Sequence, residues 1–514
     1  MKRTRSIFIA FVLIALMLAA TGSAFAANKK VTGDKMFNVA LTAAFTGFDP
    51  LRTNDQASTY VNAQIYETLY RIGPDGDYIP LLAESLPDFS ADGKSATVHL
   101  RKGVKFHDGT PFNAQAVKYT FMLIKDPKFG SARASLAASI ASMDVLDDYT
   151  IRFNLSYPDG VLLAKLAHTN SAIVSPTAQA KQDLMIKPVG TGPYKFVSSI
   201  SGSNVVLTRN DQYWDKPPVI KNVTMTIIQD ESTAVARMET GEADFMPELS
   251  VPQIDRVKSI PGVTVGTSES ARITYVMLRP TSYVNPLMGK KEFRVAIAKA
   301  LDTRGYTETI LEKYASPTGS MIGPTVFGYT PQAENYGYKY DPEAAKAAVK
   351  ANHWENEKIK LFVPSTPVYT KLGEYFQANL KDAGFNNVQI EMIDWSAWLT
   401  ESKAPNRFDI SLAGWANVTR DGTELLEPNW ESKVSARTKI NNPEFDKLVY
   451  EGKTTTNRAV RIKKLDAANK LLLEEAYAVP VYNAVNIFAY NSAYTDVTND
   501  VSGTFYLCDF TVKQ

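Results

Sequence analysis

Few residues in this chain could start covalent or metal chemistry. The four histidines are His99, His107, His168 and His353, and no two stand at metal-ligand spacing. There is no HExxH, GxSxG or SxxK run, so neither a zinc hydrolase nor a serine acyl-transfer site is encoded in a familiar form. Gly190-Thr191-Gly192 begins like GxGxxG, but Lys195 stands at the third glycine position and no strand comes just before it. It reads as a turn. The single cysteine, Cys508, allows no intrachain disulfide and reads as a buried structural thiol, since free Cys packs as a small hydrophobe. Trp395 and Trp398, three residues apart, share one helix face and read as core. Trp415 differs: it falls at a strand end, where an indole can stack on a ligand. An enzyme is not expected, and no cofactor or metal is implied.

The elements that must position such a site alternate strand and helix along the chain. The clearest run is 358–413. Strands at 359–363, 388–393 and 408–413 enclose helices at 369–383 and 395–401, with Gly384 ending the first. That βαβαβ order implies a parallel sheet with helices on its faces. Ligands of open parallel sheets bind beyond the carboxyl ends of the strands, which makes Gly414-Trp415 a site candidate on fold grounds. Elsewhere the pattern predicts a helix over 60–70, a helix from the cap Asn113 to about Lys125, one capped by Asp230 and stopped at Gly241, and a long one over 457–476. The run 97–112, TVHLRKGVKFHDGTPF, predicts strand, turn, strand, turn, with Gly103 and the Asp108-Gly109 pair as the breaks.

The first 26 residues have the form of a secretory leader: Lys2, Arg3 and Arg5, then an apolar stretch over 7–20, then Ala24-Phe25-Ala26. Cleavage is expected after Ala26. The apolar stretch is shorter than the ~20 residues needed to span a bilayer. No cysteine near the cut could carry a lipid, so no lipoprotein anchor is expected there. Basic and acidic residues number 56 and 54, and removing the leader's three basic residues leaves a chain close to neutral. No basic block interleaved with aromatics occurs, so nucleic acid is not an expected partner. A chain of 514 residues exceeds what one core serves, and two to four domains are expected.

Many short motifs in this chain, in order, resemble the family 5 extracellular solute-binding proteins of ABC importers for peptides and nickel. The run 97–112 resembles that family's signature. Phe48-Asp49-Pro50 resembles its LDP, Ile65-Tyr66-Glu67-Thr68-Leu69 its IYETL, and Leu82-Ala83-Glu84-Ser85 its LAES. The run 188–194 matches its PVGTGPY, and 210–214 its NxxYW. Gly241-Glu242-Ala243-Asp244, Arg294 to Asp302 and Asp341 to Lys346 continue the series. The resemblance implies an α/β fold of the periplasmic binding protein type II-like kind, with two lobes, hinge strands and an extra domain. Domain I would comprise 27–60, 188–272 and 486–514, domain II 61–187, and domain III 273–485. Strands near 275–278 and 486–490 would cross between lobes.

The resemblance also implies a site. Two backbone stretches of such proteins pair with an extended ligand, here Ala44-Phe45-Thr46 and Ala413-Gly414-Trp415. An acidic residue after Gly-Trp holds the ligand's ammonium, and Asp421 stands at that position. The pattern departs here, because Arg420 replaces a glycine and could either silence Asp421 or hold a carboxylate itself. The loop 363–369 lacks the arginine that some dipeptide-binding members place there, leaving Arg272, Arg279 and Arg420 as substitutes. The expected function is periplasmic capture of a short peptide by hinge closure, with delivery to an inner-membrane ABC permease by a monomer. The alternatives are the same role for glutathione, an oligosaccharide or a nickel complex, and, from other classes, an exported hydrolase or a chaperone-like protein.

Overall fold

The computed structural model describes residues 35–73, 77–435, 437–438 and 440–513. The leader-like segment 1–26 lies outside them. Among the described residues no helix is long and apolar enough to cross a membrane.

One mixed sheet of eleven strands runs through both halves of the molecule. Its order is Val388–Ile393, Ile359–Pro364, Ile410–Ala416, Val263–Leu278, Ala478–Asn491, Phe245–Met246, Met36–Leu41, Asn222–Ile227, Asn204–Arg209 and Tyr194–Ile200, with Ala315–Pro317 pairing from the side. The βαβαβ order expected over 358–413 is present. Ile359–Pro364 pairs parallel with Val388–Ile393 and with the start of Ile410–Ala416. Alternation sends Val276 and Leu361 to one core and Tyr275 and Phe362 to another, on opposite faces of this half of the sheet. A separate four-stranded antiparallel sheet holds Asp88–Phe89, Ser95–His99, Thr150–Leu155 and Ile140–Asp147. It packs into the large core of the other half, which includes Phe37, Val61, Phe121 and Phe245.

Two long strands, Val263–Leu278 and Ala478–Asn491, join the halves. Their antiparallel ladder runs from Val263↔Asn491 to Glu269↔Val485 and resumes at Ile273↔Asn483. Between those points residues 270–272 oppose one residue, so the ladder is broken where the chain passes from one half to the other. An irregularity of that kind bends a strand and marks a place where it can flex.

The caps explain several helix starts. Asn113, Asp230 and Asn457 each accept the backbone N–H of the third residue on, at 3.1, 2.7 and 3.1 Å. The helix expected over 60–70 is displaced to Gln56–Ile65, because Asp55 caps it earlier and Tyr66 leaves it in an extended conformation. Residues 104–106 form no strand. They close a tight loop in which Phe106 N–H bonds Thr110 O at 2.9 Å and Phe112 N–H bonds Val104 O at 3.0 Å.

Candidate functional site

The strand Ile410–Ala416 carries the central element of the site. On one edge it is paired along its whole length, with Arg272↔Ala416, Thr274↔Gly414 and Tyr275↔Ala413. On the other edge the pairing with Ile359–Pro364 covers only Ile410 and Ser411. Ala413, Gly414 and Trp415 therefore present an unpaired strand edge. At Gly414 a Cβ would come within 2.3 Å of the Tyr369 hydroxyl oxygen, so a larger residue there would displace that side chain.

Three adjoining cavities lie along this strand end, between the halves. One of about 210 Å³ is walled by Asn54, Gln56, Arg133, Arg420 and Asp500. A second of about 460 Å³ is walled by Thr42, Tyr60, Glu248, Arg272 and Asn486, and shares Gln56, Ala416 and Val418 with the first. A third of about 250 Å³ contains Gly414 and Trp415 and shares Arg133 and Ala416 with the first. Together they form one cleft whose walls come from both sides of the hinge strands.

The ionic groups of the cleft differ in how fully they are bonded. Asp500 accepts Ser502 N–H at 2.8 Å, Ser502 Oγ at 2.6 Å and Thr504 N–H at 2.9 Å, all on Oδ1, and burial pushes its carboxyl up. Glu424 accepts from the N–H of Thr419 at 2.9 Å and from its hydroxyl; burial pushes it up as well, with Arg133 opposing. Among the described residues Glu248 accepts the Tyr60 hydroxyl, at 2.9 Å, and no other donor, and it is exposed. Arg272 is exposed on the wall of the second cavity.

The structure redistributes several residues singled out in the sequence. Asp421 does not face the cleft. It caps the helix Gly422–Trp430 by accepting Thr423 N–H at 3.0 Å, and its other oxygen takes Arg461 Nη2 at 2.7 Å. Both side chains are buried, so the carboxylate has no face left for a ligand ammonium. Arg461, and not Arg420, is its ionic partner. Arg420, at φ 54°, directs its guanidinium to the carbonyls of Gly73 and Thr325 and so bridges two parts of the chain at the cleft wall. Arg279 lies in the protein interior, donating to Ala404 O at 2.6 Å with its guanidinium 5.0 Å from the Phe408 ring centre, and lines none of the three cavities. Ala44, Phe45 and Thr46 line none of them either. Thr46 N–H is tied to Ser58 Oγ at 2.9 Å and Phe45 packs on Phe48 at 5.2 Å, so the wall residue from that stretch is Thr42. Trp398 is buried and reaches the third cavity, while the Trp395 side chain lies outside what is described.

Arg133, Arg437, Glu248 and Glu424 were not foreseen as cleft residues. Arg133 and Arg437 sit in polar loops, where a charged residue is ordinarily solvated. No local pattern marks one that folds back against a distant strand. Cys508 is half-buried, and burial pushes its thiol up to about 12, which leaves it unreactive at neutral pH. Among the described residues no group of three or more His, Cys, Asp or Glu could hold a metal ion.

Comparison with known proteins agrees with this architecture. Residues 77–436 match the family described as bacterial extracellular solute-binding proteins, family 5 Middle. The glutathione-binding protein GsiB of Shigella flexneri is 26% identical over 469 residues, covering 86% of this chain and 88% of that protein. Its counterpart in Pectobacterium atrosepticum is 28% identical over 437 residues, covering 82% and 83%. Among solved structures, the substrate-binding protein CtaP of Listeria monocytogenes superposes with a TM-score of 0.84 at 22% identity, over 93% of this chain and 99% of that one. DppA of Helicobacter pylori, solved with the peptide STSA, gives 0.74 at 24% identity, over 93% and 98%. The motif series, the hinged sheet with its cleft and the match over 77–436 agree: this chain belongs to the family 5 bacterial extracellular solute-binding proteins.

Proposed function

We propose that this protein captures a short peptide or a peptide-like solute such as glutathione in the cleft, closes around it, and delivers it to an ABC permease of the inner membrane. The observation that carries this reading is the unpaired edge at Ala413–Trp415, which opens on the cleft. A free strand edge supplies alternating N–H and C=O groups to an extended ligand backbone and binds it without reading its sequence. The break in the hinge ladder at 270–272 supports closure, because a ligand touching both walls stabilises the closed arrangement by its differential contacts. The names of the relatives support glutathione or a peptide as the class to try first.

The reading includes export by removal of residues 1–26, action as a monomer, and the three-part division at 27–60, 188–272 and 486–514; 61–187; and 273–485. With Asp421 bonded to Arg461, the reading assigns a ligand ammonium to Glu248, an exposed carboxylate on the cleft wall whose partner among the described residues is a neutral hydroxyl. Mass spectrometry of solutes released from the purified protein by mild denaturation tests the ligand class. A peptide or glutathione is expected; a sugar or a metal chelate alone would replace the reading.

A further inference from the structure

The third cavity holds a guanidinium that forms no ion pair among the described residues. Arg437 is half-buried, donates from Nε to Ser402 Oγ at 3.0 Å, and lies 5.1 Å from the Trp398 ring centre. Among the described residues it has no carboxylate partner. Burial pulls its pKa down, as for a cation that nothing nearby offsets, although the Tyr275 hydroxyl slightly opposes this. Of the other two charges on the cavity wall, Arg133 donates from Nε to Asn54 Oδ1 at 2.9 Å, and Glu424 is pushed up by burial and held back toward its ionised form by the Thr419 bonds and, more weakly, by Arg133. Arg437 is thus a half-buried guanidinium whose hydrogen-bond partner among the described residues is a neutral hydroxyl.

Two further observations point to an acceptor that enters from outside. The indole N–H of Trp415, on the same cavity wall, is buried without a hydrogen-bond partner among the described residues. A buried donor without a partner costs about 1–3 kcal/mol, and a ligand oxygen would remove that cost. The cavity, at about 250 Å³, is also smaller than the ~300–1,000 Å³ of whole-ligand sites. It suits one arm of a ligand whose backbone runs along the strand edge above it.

We propose that this cavity is a carboxylate pocket and that Arg437 is its specificity-determining residue, so that the solute carried is one with a carboxylate reaching beside Gly414 and Trp415. The carboxylate comes either from an acidic side arm or from the ligand's terminus. Arg437 supplies the planar fork that matches a carboxylate, Trp415 adds a neutral donor, and the ring of Trp398 flanks the fork. The inference rests on the reading of the cleft as the solute site, but not on the solute being a peptide.

The test uses isothermal titration of the full mature protein and its Arg437→Met and Arg437→Lys variants with three matched pairs: Ala-Glu-Ala against Ala-Gln-Ala, Ala-Ala-Ala against its C-terminal amide, and glutarate against glutaramide. Wild-type protein is expected to prefer the carboxylate member of at least one pair by roughly 10- to 100-fold. Arg437→Met should erase that preference while leaving the neutral member unchanged, and Arg437→Lys should retain part of it. The first pair responding assigns a side-arm carboxylate, the second a terminal one. Glutarate responding alone upholds the pocket and removes the peptide reading. Peptide binding without any preference, or a preference intact in Arg437→Met, overturns the pocket and leaves the peptide reading standing. No saturable binding of any probe to the wild type overturns both. If Arg437→Met does not fold, the wild-type preferences together with Arg437→Lys decide.

Discussion

The carboxylate of Asp421 and the guanidinium of Arg461 lie 2.7 Å apart, both buried, forty residues apart in the chain. Arg461 also donates to Gly452 O at 2.9 Å and lies 4.5 Å from the Phe327 ring centre. The pair thus joins the start of helix Gly422–Trp430 to helix Arg458–Glu474. At the place where the motif pattern puts a ligand-holding acid, this chain has built a structural ion pair.

Removing one member of such a pair leaves a buried charge alone. Asp421→Ala is expected to destabilise the protein by about 3–5 kcal/mol, seen as a lower midpoint in chemical denaturation. Ligand affinity measured well below that midpoint should change little. A large affinity loss in a variant of unchanged stability would return Asp421 to the site.

Glu67 is a second buried carboxylate, and its environment predicts a pH dependence. It accepts Tyr213 Oη at 2.6 Å and Trp214 Nε1 at 2.9 Å, yet burial outweighs these bonds and pushes its pKa up to about 7. In the unfolded chain it releases its proton near 4.5. Between those values the native state binds more protons, so stability falls as pH rises through that window. The loss attributable to Glu67 is on the order of 3 kcal/mol. Glu67→Gln should flatten denaturation midpoints between pH 4.5 and 7; an unchanged slope would show that another group is responsible.

Two glycines of the 188–194 turn are fixed by the approach of another backbone. A Cβ at Gly190 would stand 2.1 Å from Ile65 O, and Gly192 N–H bonds that oxygen at 2.9 Å. Gly190→Ala should cost about 3 kcal/mol or more. At Gly103, where φ is 79° and nothing lies within 4 Å, the same substitution should cost about 1 kcal/mol from backbone strain alone. Equal effects in thermal melts would contradict the packing argument.

Gly414→Ala tests the strand edge. The added methyl would meet the Tyr369 hydroxyl oxygen at 2.3 Å, the end of a side chain that can swing. Stability should drop by no more than about 1 kcal/mol, while ligand affinity falls, because Tyr369 is driven toward the edge where the ligand would pair. Unaltered affinity would move the backbone pairing away from Gly414.

These contacts also show what in the sequence was legible. Several of the motifs that carried the resemblance meet one another. Ile65 meets Gly190 and Gly192 as above. His107 bonds Gly192 O through Nε2 at 2.9 Å, its own N–H bonds Gly190 O at 2.8 Å, and burial holds the ring neutral by lowering its pKa to about 4. Glu67 receives Tyr213 and Trp214. Such junctions need particular residues at particular spacings, so they are readable. Caps such as Asn113 and Asp230 were readable for the same reason, since their geometry is local. The ionic contacts of the site were not. Whether Asp421 faces a ligand or Arg461 depends on how two helices pack, and Arg437 reaches the Gly414 strand only through the tertiary fold.

Closure around a ligand is the claim on which the account depends, and small-angle X-ray scattering of the mature protein with and without saturating solute tests it most directly. With a solute shown by titration to bind, glutathione or a tripeptide being the first choices, the radius of gyration should fall as the halves close about the break at 270–272. Saturable binding with unchanged scattering would contradict it.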